Sequence, residues 1–588
     1  MKKVICIILA LTMVVAVAGC GGGFDTYRLY PNEFLLGEHV SDSGDVVGSS
    51  TDSDLTQLSE EDIQNMNGGN ARLVYGDEGY VTFLQGRFYD GKVEDYEQAV
   101  AALQGVAGLI GLGAGSEFFC VSGSRDDDGY TYYTFQQRYG DVTVMYATLR
   151  VVIDPEGYTA GLSNSFVPNL GIAPSAENIG KEQAEEIVRQ QFPDLQLNYY
   201  TDQTHKVAVT IGDVSYRAWV VYTNNPNTTA GDWGMEYFEH FVAVDGTYLY
   251  RLPVASFETT NTDAFQPGKY FDGLERELVS FEVTRYDNTT ETVTVPISRN
   301  PNTGLYYLMD AERSIAVGDF YGVVYKGSMD FVCSEDPYIW RNSDILAYDR
   351  YIKAYDFYAE LGVYSVDGSG LPIMVCVGYC DANGSPVDNA GYCGVMYGWA
   401  VFGASDVNYF SEAMDVVGHE FTHGVTNCSA VGNYYANTSG AINEAYSDIM
   451  GNLCEMMNGY TSDTRWLVGE NSGNALRSMS SPMDYYQPVR VGGTYYQQPA
   501  DKPSPNENDL GGVHQNSSLL SQMAYILYKA GMTMEQQRSL WLTSIELLTP
   551  TVGYEEIYAA LMMSMDINGF DAAYKDVLTQ AFKNANMI

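Results

Sequence analysis

His419-Glu420-Phe421-Thr422-His423, followed downstream by Asn443-Glu444-Ala445-Tyr446-Ser447-Asp448, decides how the C-terminal half of this chain folds. Two histidines four apart on a helix are separated by about 40° of rotation and roughly 6 Å of rise, so both imidazoles reach one point. Met414, Val417, Phe421 and Val425 recur around them at helical spacing, while Ile442, Ala445, Ile449, Leu453 and Met456 mark a second amphipathic helix. Glu444 and Asp448 share one face of that second helix. One can bind a metal held by the histidines while the other fixes a histidine ring from behind. Glu444 is the candidate third ligand of a zinc site with a position left for water, and Glu420 stands where a general base is needed. Taken by itself, the pentapeptide also fits a pair of helix-surface histidines.

Beyond residue 260 the remaining histidine is His514, in Asn508-Asp509-Leu510-Gly511-Gly512-Val513-His514-Gln515-Asn516-Ser517. The two glycines allow a tight backbone turn, and a helical run through Leu519, Leu520, Met523 and Ile526 follows. Asp509 can hydrogen-bond one imidazole nitrogen and leave the other as a donor toward a developing oxyanion.

These three segments together resemble the thermolysin family of zinc metallopeptidases. The resemblance implies an α+β fold with a two-lobed catalytic domain, a strand-rich N-lobe and a helical C-lobe with the zinc helix between. It makes His419, His423 and Glu444 the zinc ligands, Glu420 the general base and Asp448 the carboxylate behind a zinc histidine. His514 becomes the transition-state donor with Asp509 orienting it, and Tyr435 assists the oxyanion. Arg477 matches the arginine that binds a substrate carbonyl. Asn389-Ala390 matches the edge-strand pair that binds the peptide backbone, although Tyr392 stands where the family usually has tryptophan. Val416 and Leu476 match the lining of an apolar pocket for the residue after the scissile bond, with Phe410 narrowing it. Asp415, Glu455 and Glu470 match calcium ligands. Arg465 and Leu467 replace two acidic residues expected nearby, so at most one calcium is expected, with the Arg465 guanidinium standing in for a second ion. An ion-pair network of the carboxylates with Arg465 is the alternative.

Lys2 and Lys3, an apolar run from Val4 to Val17 and then Ala18-Gly19-Cys20 read as a secretory signal. Val17-Ala18-Gly19-Cys20 resembles a bacterial lipobox, which implies a lipid on Cys20 as the one membrane attachment; an ordinary signal peptide with a chance cysteine is the alternative. The expected location is the cell surface or the exterior. The net charge of −44, from 75 acidic and 31 basic residues, argues against nucleic acid and anionic lipid as partners. Six cysteines lie in the catalytic region; Cys380 and Cys393 flank a Gly/Pro-containing loop and are the first pair to test, with free thiols equally compatible.

A chain of 588 residues should hold several domains. The expected organisation is a signal peptide over 1–19, a Gly/Ser/Asp-rich flexible tether over 20–67, and a strand-rich module over 68–170. A second module with a helix near 180–188 spans 171–262, the catalytic N-lobe 263–418 and the helical C-lobe 419–588. The two modules resemble the fungalysin/thermolysin and PepSY-like parts of the family's propeptide. The resemblance therefore implies a monomeric proenzyme that acts on proteins or peptides and carries its propeptide as inhibitor and chaperone. Self-cleavage is expected in the polar stretch near 255–266. A zinc aminopeptidase and a non-catalytic surface lipoprotein are the competing classes; the His514 and Arg477 segments favour an endopeptidase.

Overall fold

Apolar–polar alternation builds the N-terminal half into one sheet. The computed structural model describes Tyr27–Arg28, Gly48–Ser49 and residues 57–588, apart from 113–115, 127, 169, 173–178, 198–203, 213, 225–236, 254–270, 320–329, 379–387, 394–397, 403–408, 430–433, 461–465 and 474. The signal peptide, Cys20, the 255–266 junction, Arg465 and the Cys380–Cys393 pairing lie outside what it describes.

Helix α1 (Glu60–Met66) starts at Ser59, whose hydroxyl oxygen accepts from the Asp62 N–H while the Asp62 carboxylate accepts from the Ser59 N–H. Ile63 is buried in the core of the first module. The tether expected through residue 67 therefore gives way to folded structure before its end. Strands β1 (Arg72–Tyr75) and β2 (Val81–Gln85), helix α2 (Tyr96–Gly105) and strands β3 (Ser116–Arg125), β4 (Thr131–Tyr139), β5 (Val142–Ile153) and β6 (Thr159–Asn164) follow. Helix α3 (Lys181–Gln191) leads into β7 (His205–Ile211), β8 (Val214–Asn224), β9 (Tyr237–Ala243) and β10 (Tyr248–Pro253). The order β3-β4-β5-β7-β8-β9-β10 runs unbroken across residue 170. One edge of β5 does this twice: Thr143 and Val144 pair in parallel with β7, and Leu149–Ile153 pair antiparallel with β6. Between the two stretches Tyr146 has φ of +59°.

The C-terminal half begins with the hairpin β11 (Glu275–Thr284) and β12 (Thr290–Arg299). Next come β13 (Ile315–Asp319), helix α4 (Asn342–Ala359), β14 (Ile373–Val377), β15 (Ala390–Cys393) and β16 (Gly398–Phe402), in the order β13-β14-β16-β15. Among the described residues β15 pairs on one side only, so it is an edge strand. Then the chain turns helical: α5 (Met414–Cys428), α6 (Asn437–Met457), α7 (Pro505–Asn516, interrupted by a non-helical turn at 508–512), α8 (Ser518–Lys529), α9 (Met534–Ile545), α10 (Tyr554–Ile567) and α11 (Ala572–Asn584). This is the α+β, two-lobed arrangement expected. Among the described residues no helix is long and apolar enough to cross a membrane.

Helix α5 is buried on nearly every face. Phe421 stacks on Tyr358 at 5.2 Å between ring centroids and lies 5.4 Å from Tyr351, both on α4. The Thr422 hydroxyl bonds the Tyr358 hydroxyl at 2.8 Å. Removing the Phe421 ring would cost about 3–5 kcal/mol by the usual scale for buried aromatics, and the turn of α5 that carries His419 and His423 would lose its backing.

The N-terminal half packs on the helical lobe. Val74, Phe83, Tyr132 and Val152 share one core with Met562 and Met563 of α10. Around this contact the Thr82 hydroxyl donates to the Glu556 carboxylate at 2.6 Å, Gln85 to Asp566 at 2.8 Å, and Arg150 to the Glu546 carbonyl at 2.6 Å.

Candidate active site

Glycine sets how closely the two site helices cross. A Cβ on Gly418 of α5 would lie 2.9 Å from the Gly451 Cα, and one on Gly451 of α6 would lie 2.8 Å from the His419 nitrogen. Any larger residue at either point would push the helices apart and separate the groups they carry. Neither glycine stands out in the sequence; their only signal is a small residue on the buried face of each helix.

The crossing brings His419, His423 and Glu444 together, with one ligand atom of each inside a 4.8 Å cluster. The two Nε2 atoms lie 3.0 Å apart, and the Glu444 carboxylate is 3.2 Å from the nitrogen of His423 and 3.5 Å from that of His419. Behind the rings, His419 Nδ1 meets Asp448 Oδ1 at 3.0 Å, while His423 Nδ1 meets Asn443 Oδ1 at 2.8 Å and the Ser447 hydroxyl at 3.2 Å. Acceptors at both Nδ1 positions fix those nitrogens as N–H donors, so both Nε2 lone pairs face inward beside a carboxylate. Glu444 Oε2 is buried and makes no hydrogen bond. Three electron-pair donors converging without a hydrogen to share among them fit a cation, and two imidazoles with one carboxylate fit zinc. Burial works against charge on His423, yet Glu444 beside it pushes the ring up to about 9. Burial alone would raise Glu444, but His514 and His423 hold it well below the usual carboxylate range.

The remaining predicted groups surround this cluster. Glu420 is buried next to it, and burial pushes its carboxyl up. Tyr435, just before α6, donates its hydroxyl to Glu444 and lies 3.4 Å from His514 Nε2. Asp509 holds His514 through two atoms: Nδ1 to Oδ1 at 2.6 Å, and the backbone N–H to Oδ2 at 3.0 Å. The turn that permits this has four consecutive left-handed residues, Asp509 to Gly512, with φ between +47° and +87°. Gly511 also lies against Asn437, where a side chain has no space. Burial disfavours charge on His514, but Glu444 and Asp509 together raise it. Arg477 donates to Asp448 at 2.7 Å, and its Nε is buried with no hydrogen-bond partner.

The thermolysin metallopeptidase catalytic-domain model matches residues 284–427, and the alpha-helical-domain model of the same family matches 432–587. The chain belongs to the thermolysin metallopeptidase family. Neutral protease NprE of Bacillus pumilus is 32% identical over 304 residues, covering 49% of this chain and 94% of that protein. Thermostable neutral protease NprT of Geobacillus stearothermophilus is 29% identical over 504 residues, 79% of this chain and 84% of its own. A thermolysin of Alicyclobacillus acidocaldarius is 29% identical over 507 residues, 80% and 86% of the two chains. The protein is thus a thermolysin-like zinc metalloendopeptidase.

Several thermolysin-family expectations concern the walls of the cleft. Ala390 is on the edge strand β15, opposite Phe402, with Asn389 just before it. Tyr392 of that strand packs against α5 at Gly424, where an added Cβ would lie 2.8 Å from its ring. Val416 is buried and Leu476 is 41% exposed, so the second can meet a substrate directly. Phe410 is buried. Asp415, Glu455 and Glu470 form the second cluster of possible metal ligands among the described residues. Asn443 and Ser447, which hold His423, were not singled out from the sequence. Their signal was i,i+4 spacing on the face that carries Glu444.

Proposed function

We propose that His419, His423 and Glu444 hold the zinc ion of this peptidase and that Glu420 is its general base. What carries the reading is the convergence of two Nε2 lone pairs and a carboxylate, with Asp448 and Asn443 fixing the rings from behind. Zinc bound there supplies Lewis acidity to the scissile carbonyl and its water. Glu420 takes the proton from the attacking water and returns it to the leaving amine nitrogen. His514 and Tyr435 donate from Nε2–H and O–H to the carbonyl oxygen as it gains charge, each contributing about 3 kcal/mol on the scale of oxyanion donors. Asp509 holds the His514 ring by Nδ1 so that Nε2 points at that oxygen. Arg477 binds a substrate carbonyl, and the free edge of β15 at Asn389-Ala390 takes the peptide backbone in strand fashion.

The finer reading concerns specificity, maturation and support. Val416, Leu476 and Phe410 form an apolar pocket that favours hydrophobic residues after the scissile bond, with Leu or Val ahead of Phe. The N-terminal half acts as propeptide inhibitor and chaperone. Supporting this, the Tyr146 ring stands edge-on to Tyr434 at 5.1 Å, beside Tyr435, and Ala436 is buried in the core of the β7–β10 sheet. Asp415, Glu455 and Glu470 hold one calcium ion. The basic start, apolar run and Cys20 support export, with a lipid anchor from which self-cleavage releases the catalytic domain. Purified protein stripped with a zinc chelator should stop hydrolysing a protein substrate and recover with equimolar zinc. Full hydrolysis by the stripped protein would overturn the reading.

A further inference from the structure

Residues 481–500 form a strap tied to the backbone of His514 and to the side chain of Asn437. At one end Gln487 Nε2 donates to the His514 carbonyl at 2.9 Å. At the other, the Ala500 N–H donates to Asn437 Oδ1 at 2.8 Å, two residues after Tyr435. Gln515, next to His514, donates its side-chain amide to the carbonyls of both Tyr486 and Tyr495, the second at 3.0 Å. The Gln515 N–H in turn donates to Asp509 Oδ2, the same oxygen that takes the His514 N–H.

The two tyrosines held by Gln515 are unusual in the same way. Both have left-handed backbone, with φ of +59° at Tyr486 and +68° at Tyr495, a conformation that suits glycine or asparagine and strains a ring-bearing residue. Both are exposed, Tyr486 by 71% and Tyr495 by 41%. Their rings meet edge to face at 5.6 Å between centroids. Core packing does not explain them, because strain is spent to hold large rings out in water. A preformed pair of aromatic rings on a fixed strap is what binds an apolar side chain.

We propose that Tyr486 and Tyr495 form an outer subsite of the cleft that takes a large apolar or aromatic side chain of the substrate polypeptide, beyond the residues flanking the scissile bond. The occupant follows from continuity: the strap is bonded to the His514 carbonyl, and Gln515, the next residue, holds both tyrosine carbonyls, so the pair is continuous with the segment that carries His514. This inference rests on the peptidase reading above and deepens it.

The test uses the processed, zinc-loaded enzyme and fluorogenic peptides that share the residues around the cleaved bond. A single Phe-for-Ser exchange is stepped through the positions two to four residues away on each side. In the wild type one position should favour Phe by about tenfold in kcat/KM, mostly through KM, the size of one aromatic contact. Tyr486→Gly/Tyr495→Gly removes the rings while keeping a backbone that glycine adopts freely, and should bring that ratio to within twofold of one. Tyr486→Phe/Tyr495→Phe should retain it. A wild type indifferent to Phe at every stepped position, or a glycine variant that keeps the preference, overturns the subsite. A wild type that cleaves none of the peptides defeats the peptidase reading itself, and the subsite with it.

Discussion

Two buried ligand clusters lie along the same pair of helices, and they differ in charge. His419, His423 and Glu444 combine two imidazole rings with one carboxylate, and each ring is fixed from behind by a hydrogen-bond acceptor. Asp415, one turn earlier on α5, joins Glu455 and Glu470 in an all-carboxylate cluster. There burial and mutual repulsion push Asp415 and Glu455 up, eased only in part by hydrogen bonds from the Gly469 N–H to Asp415 and from Asn471 to Glu455 at 2.7 Å. Nitrogen donors with a single negative charge suit zinc, whereas hard oxygens with several charges suit calcium. The first cluster adjoins Glu420, Tyr435 and His514, the groups proposed to do the chemistry. The second ties α5 and α6 to the 469–471 turn and supports them.

That contrast orders the expected effects of substitution. His423→Ala removes a ligand of the first cluster and should abolish both zinc binding and peptide hydrolysis. Glu420→Ala should keep the metal and lower kcat about 10³–10⁴-fold, at the upper range for loss of a general base. Next, His514→Ala or Tyr435→Phe should cost about 10²–10³-fold in kcat with KM little changed, measured on one fluorogenic peptide. Asp448→Asn weakens the brace behind His419, and zinc affinity measured by competition with a chelator should fall about 10–100-fold. Glu455→Gln, in the second cluster, should leave turnover at 25 °C within about twofold. It should, however, remove a calcium-dependent rise in Tm of about 4 °C, the shift expected for a site near 100-fold saturation in a domain of this size. A Glu455→Gln enzyme that loses activity but keeps its calcium-dependent Tm would erase the distinction between the clusters.

Much of the first cluster was legible because a helix converts spacing into direction. His419 and His423, and Glu444 and Asp448, are each four apart, so one period places all four. The Asp509–His514 pairing was legible for a local reason too, since the glycines between them mark the turn that joins them. The depth of the helix crossing was not legible, because it depends on Gly418 meeting Gly451 and a small residue announces no partner. The unbroken N-terminal sheet was also hidden. It depends on Val207 and Ala208 pairing in parallel with Thr143 and Val144, a distant match that alternation along either strand leaves open. The strained tyrosines of the strap gave no signal, since neither residue is one that ordinarily adopts left-handed backbone.

The central claim is that three residues bind the metal while a fourth, Glu420, performs the proton transfer. Zinc content and hydrolysis of one protein substrate, measured side by side on wild type and Glu420→Ala, test it most directly. The account expects equimolar zinc in both proteins and hydrolysis only in the wild type. A Glu420→Ala protein that hydrolyses the substrate at the wild-type rate, or a wild type that is active without zinc, would contradict it.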